Sequence, residues 1–432
     1  MPVENSELPG FYKLSIEERL KILSKLANLD EDEVNQLKGN PLRLEIADKM
    51  IENVIGTFQV PLGIATSFKI NGKDYLVPMA IEEPSVIAAA SNAAKIARKS
   101  GGFKAESDEP IMIGQIQILN IPNVENAKKE IFENLKEIKR ICNEKHTNLV
   151  NAGGGFKDLF LYELNTEIGK MLIVNLLVDV RDAMGANVIN SMCETLAPFL
   201  EKITGGTVRL RILSNLAVYR KVKAEAIFSK EAIEESFKGE ISGEEAIENI
   251  LQAYYFAKND KFRATTHNKG IMNGIDAVAL ATGNDFRALE AGAHAFASLK
   301  QGYGPLTEYY KNDNGDLVGR IEIPLAFGIA GGITKSHPLV KINLKILGVK
   351  SAQELAEVAA CVGLANNFAS LRALATEGIQ KGHMKLHAKN IAMSVGATGR
   401  EVEEIVEKMV EEKNISMSRA KEILEEIRKS KI

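Results

Sequence analysis

The residues best suited to chemistry are a lysine and an aspartate, Lys269 and Asp285, in a polar stretch punctuated by glycine. It runs Thr266-His267-Asn268-Lys269-Gly270-Ile271-Met272-Asn273-Gly274, then Ala281-Thr282-Gly283-Asn284-Asp285-Phe286-Arg287. So many polar side chains and two glycines predict an irregular segment rather than a core element. Apolar residues from Ile275 to Leu280 and a helix-like run from Ala288 to Leu299 bracket it. A lysine and a carboxylate at the edges of buried elements can tune each other as acid and electrophile. Glu83, just before Pro84, is a third candidate, placed where a helix dipole favours its ionised form. His383 has His387 four residues on, but with no HExxH and no third ligand the pair does not predict a metal site. The turn Asp182-Ala183-Met184-Gly185-Ala186-Asn187 joins an apolar strand to a helix, so small residues and a helix N-terminus could receive a phosphate. It lacks the GxGxxG pattern of a Rossmann site. Each feature alone has a plain structural alternative: a solvated lysine, helix-start carboxylates at Glu83 and Asp285, and a tight turn capped by Asp182. Together they suit reductive acyl chemistry: a lysine for an oxyanion, carboxylates to tune it and donate a proton, and a histidine for a leaving group.

The elements that must position these residues follow from periodicity. Residues 15–38 read as two short helices, the first capped by Ser15. Strands are predicted over 58–80, with Asn71-Gly72 as a hairpin turn. Pro84 opens an alanine-rich helix that stops at Gly101-Gly102. From about 110 the pattern changes: a strand at 111–119, a charged amphipathic helix over 125–145, a buried strand at 171–180, a helix from about 186 to 203 and a strand at 208–213. Later come a second Asn-Gly turn at Asn314-Gly315, the run Gly328-Ile329-Ala330-Gly331-Gly332, and a long helix over 352–376. The tail over 400–432 holds two helices with narrow apolar stripes, Val402, Ile405 and Met409, then Met417, Ala420, Ile423 and Leu424.

Bulk properties narrow the classes. A net charge of −3 offers no general attraction to nucleic acid or anionic lipid. The three cysteines match no metal spacing and are expected to be reduced. The first ten residues lack a signal-peptide pattern, and no segment approaches the ~20 apolar residues needed to cross a bilayer. A soluble, cytoplasmic protein is expected.

Longer motifs carry a family resemblance: ENVIGTFQVP at 52–61, EEPSVIAAAS at 82–91, DVRDAMGAN at 179–187, HNKGIMNGID at 267–276, ATGNDFRALEAGAHA at 281–295 and TEGIQKGHMKLHAKN at 376–390. From about Leu8 onward the chain resembles the soluble, class II type of 3-hydroxy-3-methylglutaryl-coenzyme A (HMG-CoA) reductase. The resemblance implies an α/β (α+β) fold: a large helical domain around a central helix over 1–109 and 220–376, an inserted small non-Rossmann cofactor domain over 110–219, and a C-terminal flap over 377–432. It implies the four-electron reduction of HMG-CoA to mevalonate and CoA in the mevalonate pathway of isoprenoid synthesis, with two NAD(P)H consumed and no metal. By resemblance Lys269 stabilises the oxyanion, Asp285 sets its charge, Glu83 supplies a proton and His383 protonates the CoA thiolate. Ser85, Arg263 and Asn273 fall where the family binds substrate; His146, Asp182, Met184, Gly185, Asn187 and Asn215 fall at cofactor positions. A homodimer or higher even oligomer is implied, with no nucleic-acid or membrane partner.

Two departures stand out. His146 replaces the Asp of some NADH-using relatives, which would repel a 2′-phosphate, so NADPH is the expected preference. Tyr12, with Lys13 beside it, replaces an arginine expected to contact CoA. Two readings stay open beside the reductase: the same enzyme oxidising mevalonate, and a non-catalytic CoA- or nucleotide-binding regulator.

Overall fold

The computed structural model describes residues 4–39, 42–299, 302–332, 336–376 and 388–429. Two sheets organise it. One has six strands in the order β2-β1-β3-β8-β10-β9. These are β1 Leu62–Ile70, β2 Lys73–Ala80, β3 Phe103–Ser107, β8 Lys221–Phe228, β9 Thr307–Lys311 and β10 Leu317–Pro324. The other is an antiparallel sheet in the order β5-β6-β4-β7, from β4 Ile111–Leu119, β5 Gly155–Thr166, β6 Gly169–Asp179 and β7 Thr207–Ser214. The chain leaves the first sheet after Ser107 and re-enters it at Lys221. An antiparallel second sheet has no βαβ crossover, which is why the Rossmann fingerprint is missing.

Local chemistry sets many boundaries. Ser15 and Asp30 each close a capping box, starting helices Ile16–Ala27 and Glu31–Lys38. Asn71 and Gly72 both have positive φ, as a two-residue hairpin between β1 and β2 requires. Helix Ala352–Ala375 is buried along most of its length, and against it pack helices Lys261–Ala281, Val86–Arg98 and Gly243–Asn259. The expectation that no segment approaches a bilayer-crossing length is corrected here: this helix is long and apolar enough. Its apolar surface is spent inside the core, around Phe368, Leu364 and Val362.

The structure corrects several other expectations. The polar stretch Thr266–Gly274 is not irregular; it lies inside the 21-residue helix Lys261–Ala281. Two of its polar side chains, His267 and Asn268, find partners within the core. His267 Nε2 meets Thr307 Oγ1 at 2.6 Å, and Asn268 bonds the Tyr303 hydroxyl, the Gly304 carbonyl and the Leu306 amide. Gly274 is there for packing: a Cβ would fall 2.3 Å from Asn366 Oδ1 on the central helix. The charged helix expected over 125–145 is two helices, Val124–Glu133 and Leu135–Glu144, broken at Asn134. Pro84 is not the first helical residue, because Ser85 is the N-cap of helix Val86–Arg98. In the tail, helices Arg400–Glu411 and Met417–Lys429 close a small core of their own, but Met417 is exposed and Ile427 is buried in its stead.

Candidate active site

A cleft of about 1830 Å³ opens beside the first sheet. Its walls include Glu83, Ser85, Asp285, Met184, Gly185 and Asn187, residues far apart in sequence. Lys269 joins them through Glu83: its Nζ donates to Glu83 Oε2 at 2.7 Å. Both side chains are more than a third exposed, so the pair adds little to folding, on the order of 0–1 kcal/mol. A lysine held mid-helix against a carboxylate at the mouth of a cleft is better explained by chemistry.

Ser85 has φ +77°, a left-handed conformation that is costly for a non-glycine residue, and its hydroxyl makes no capping bond. The strained backbone therefore presents the Ser85 hydroxyl, unbonded among the described residues, and a 13-residue helix N-terminus at the cleft wall. Asp285 caps helix Phe286–Ala297, accepting from the amides of Arg287 (3.1 Å) and Ala288 (3.2 Å), and pairs with the Arg287 guanidinium at 3.1 Å. Its recorded bonds are thus to its own helix start rather than to Lys269. Asn273, one turn beyond Lys269, is half-buried; Arg263, in the first turn of that helix, is half-buried too, and burial pulls its guanidinium below the usual range. His383 and His387 lie outside the described residues.

The Asp182–Asn187 turn is held from three sides. Asp182 does not cap the following helix; Gly185, at φ +109°, is the N-cap of Ala186–Thr204. Instead the Asp182 carboxylate accepts from the Ala352 amide at 2.8 Å, tying the turn to the central helix. Its backbone carbonyl accepts from the Ile329 and Ala330 amides. Beneath the turn, buried Arg220 donates to the carbonyls of Ala183 (3.0 Å), Met184 (3.3 Å) and Phe327. Burial lowers its guanidinium to about 10, which leaves it charged at neutral pH. Asn284 Oδ1 accepts from the Gly328 amide at 2.8 Å, linking the Asp285 loop to this turn.

The turn is also closely packed against a second loop. A Cβ on Gly328 would lie 2.5 Å from the Met184 amide nitrogen, so only glycine allows the two loops to meet. No side chain caps the helix start at Gly185, which leaves N–H donors open to the cleft. Gly328→Val is expected to push the turn away and raise the cofactor KM at least about tenfold, with a smaller effect on the KM for the acyl substrate. Unchanged cofactor KM in steady-state titrations would remove this role.

Two sequence candidates sit further out. Asn215 is exposed, and its carbonyl lies against Gly292 on helix Phe286–Ala297. His146 precedes the short helix Thr147–Asn151, whose end is tied to β6 by Arg181 donating to the Gly153 carbonyl at 2.5 Å. Burial and neighbouring Lys145 lower its imidazole below the ordinary range, so it is neutral at neutral pH. Its Nε2 is buried and has no hydrogen-bond partner among the described residues. Tyr12 is exposed at the rim of the cleft. Among the described residues no group of His, Cys, Asp and Glu is arranged to hold a metal ion.

Sequence reasoning missed Arg220, Asn284 and Gly328. A lone arginine in a surface-like stretch carries no signal, whereas Gly328 was visible as part of a glycine run whose partner was not.

Known proteins match this chain over most of its length. A family model described as hydroxymethylglutaryl-coenzyme A reductase matches residues 15–388. A 3-hydroxy-3-methylglutaryl-coenzyme A reductase of Archaeoglobus fulgidus is 58% identical over 424 residues, covering 98% of this chain and 95% of the relative. A probable enzyme of the same name from Borreliella burgdorferi is 42% identical over 347 residues, 79% of this chain and 77% of its own. Among solved structures, the class II reductase of Streptococcus pneumoniae bound to NADPH in open conformations matches with a TM-score of 0.80 at 39% identity, covering 96% of this chain and all of that one.

Proposed function

The chain belongs to the hydroxymethylglutaryl-coenzyme A reductase family, class II, and we propose that Lys269 and Glu83 carry the proton and charge chemistry of its reaction. The activity is the NAD(P)H-dependent reduction of HMG-CoA to mevalonate and CoA. The observation that carries the assignment of roles is the 2.7 Å Lys269–Glu83 pair at the cleft. When bound, the nicotinamide supplies hydride to the carbonyl carbon. The Lys269 ammonium meets the oxygen on which charge develops, and Glu83, already in contact with it, delivers a proton when the aldehyde becomes an alcohol. Ser85 and the helix start behind it, with Asn273 and Arg263, orient the acyl substrate and its carboxylate. Asp285 shapes the cleft floor and its field. His383 is assigned the protonation of the departing thiolate, which leaves more readily once neutral.

The fit of the Met184–Gly185–Asn187 turn supports NADPH as the cofactor, with residues 110–219 as the unit that holds it, residues 1–109 and 220–376 as the substrate and dimer unit, and 377–432 as a flap bringing His383. Exposed Ile55, Phe58 and Phe262 support a homodimer, and a cytoplasmic location follows from the same reading. The biosynthetic direction is favoured by the NADPH expectation. In parallel assays with HMG-CoA, kcat/KM with NADPH is expected to exceed that with NADH; activity with NADH alone would sink the preference. Faster turnover of mevalonate, CoA and NAD⁺ than of the forward mixture would favour the degradative direction.

A further inference from the structure

Arg220, just before β8, carries a charge that the reaction as described does not use. The residue is only 4% exposed. Its guanidinium donates to the carbonyls of Ala183 at 3.0 Å and Met184 at 3.3 Å on one loop, and to that of Phe327 on the other. Among the described residues it pairs with no carboxylate. The two carboxylates that flank the turn in sequence are committed elsewhere. Asp182 accepts from the Ala352 amide at 2.8 Å, and Asp179 pairs with Arg181 at 3.1 Å and Lys157 at 3.4 Å. Carbonyls could be served by a neutral side chain at a lower cost of desolvation, so a staple between two loops does not need a charge. Arginine keeps that charge even when buried.

The bonds of Arg220 also set the direction of the turn's own dipoles. The peptides here are trans, so a carbonyl that points at Arg220 leaves the N–H of the same peptide pointing away from it. This holds for the amides of Met184 and Gly185. Next along the chain come the first amides of the 19-residue helix Ala186–Thr204, which no side chain caps. The amides of Gly185, Ala186 and Asn187 have no hydrogen-bond partner among the described residues, and all three residues line the cleft. Successive N–H groups of this kind form a concave anion site, to which a helix start adds its dipole. Behind it, across two peptide units, sits a guanidinium without a carboxylate.

We propose that Arg220 is a positioning residue for the dinucleotide: its buried charge is the counter-charge to a diphosphate seated on the Gly185–Asn187 amides. Arg220 does not touch the ligand. It polarises the Ala183 and Met184 peptides, whose N–H ends lie opposite it, and it fixes them against the Phe327 loop. The anion then binds where the protein holds a cation that lacks an ion pair, so binding offsets the cost of burying it. The role rests on the reading of this turn as the NADPH site, but diphosphate binding can be measured apart from turnover.

The experiment uses the full-length protein, Arg220→Lys and Arg220→Gln, with NADPH and inorganic pyrophosphate as the probes. Lysine keeps the charge and loses the fork, whereas glutamine keeps a neutral donor. Binding is followed by calorimetry without acyl substrate at about pH 6.5, where a buried lysine better keeps its proton. Pyrophosphate is expected to displace NADPH from the parent. Arg220→Gln is expected to weaken both ligands at least about tenfold, and Arg220→Lys to bind them at least about fivefold tighter than Arg220→Gln. A purely structural staple would weaken the two variants alike; that result, or full affinity in Arg220→Gln, overturns the proposal. In turnover, Arg220→Gln is expected to raise the KM for NADPH at least about tenfold and to leave that for HMG-CoA within about threefold. If neither variant folds, a crystal structure of the parent with NADPH decides. Diphosphate oxygens are expected within hydrogen-bond reach of the Gly185–Asn187 amides, and a diphosphate seated elsewhere overturns the counter-charge. A parent that binds pyrophosphate but not NADPH, with the Arg220→Gln loss retained, would count against the NADPH reading alone.

Discussion

Lys269→Ala is expected to lower kcat by roughly 10²–10³-fold, the usual loss when one donor to a developing oxyanion is removed. Its KM for HMG-CoA is expected to stay within a few fold, since Ser85, Asn273 and Arg263 are left in place. Lys269 is exposed and, among the described residues, its side chain bonds Glu83 alone, so the variant should fold normally. Steady-state kinetics beside isothermal titration with HMG-CoA separates the two effects. Near-normal kcat would refute the assigned role.

Glu83→Gln is expected to cost a similar factor, roughly 10²–10³ in kcat, because the amide keeps the size and one hydrogen bond but cannot deliver a proton. The two losses should not add. Lys269 and Glu83 touch at 2.7 Å and act as a unit, so the double variant is expected to be little worse than either single one. Mevaldehyde, the free aldehyde, separates the steps: Glu83→Gln should be defective in reducing it, whereas normal aldehyde reduction would reassign the proton donor.

Much of the frame was legible in the sequence. Caps at Ser15, the Asn71-Gly72 turn and the alternation of 111–119 each depend on neighbours within a few residues, which is the range that sequence patterns report. The long motifs carried the family. What was not legible depends on contacts made at a distance. The segment around Lys269 reads as polar and broken, yet it is helical, because Thr307, Tyr303 and Leu306, some forty positions away, give partners to His267 and Asn268. Strand β5 escaped notice because its burial alternates weakly along twelve residues. The interplay of Gly328 with Met184 exists only once helices and loops are packed. The charge state of His146 likewise depends on burial that spacing does not encode.

The most direct test of the central claim is the ratio of NADPH oxidised to CoA released by the purified protein, followed together by absorbance and a thiol reagent. Two NADPH per CoA, with mevalonate as product and loss of the signal in Lys269→Ala, is the result expected of a Lys269–Glu83 site that carries both reductions. One NADPH per CoA with accumulating aldehyde, or full stoichiometry retained without Lys269, would contradict it.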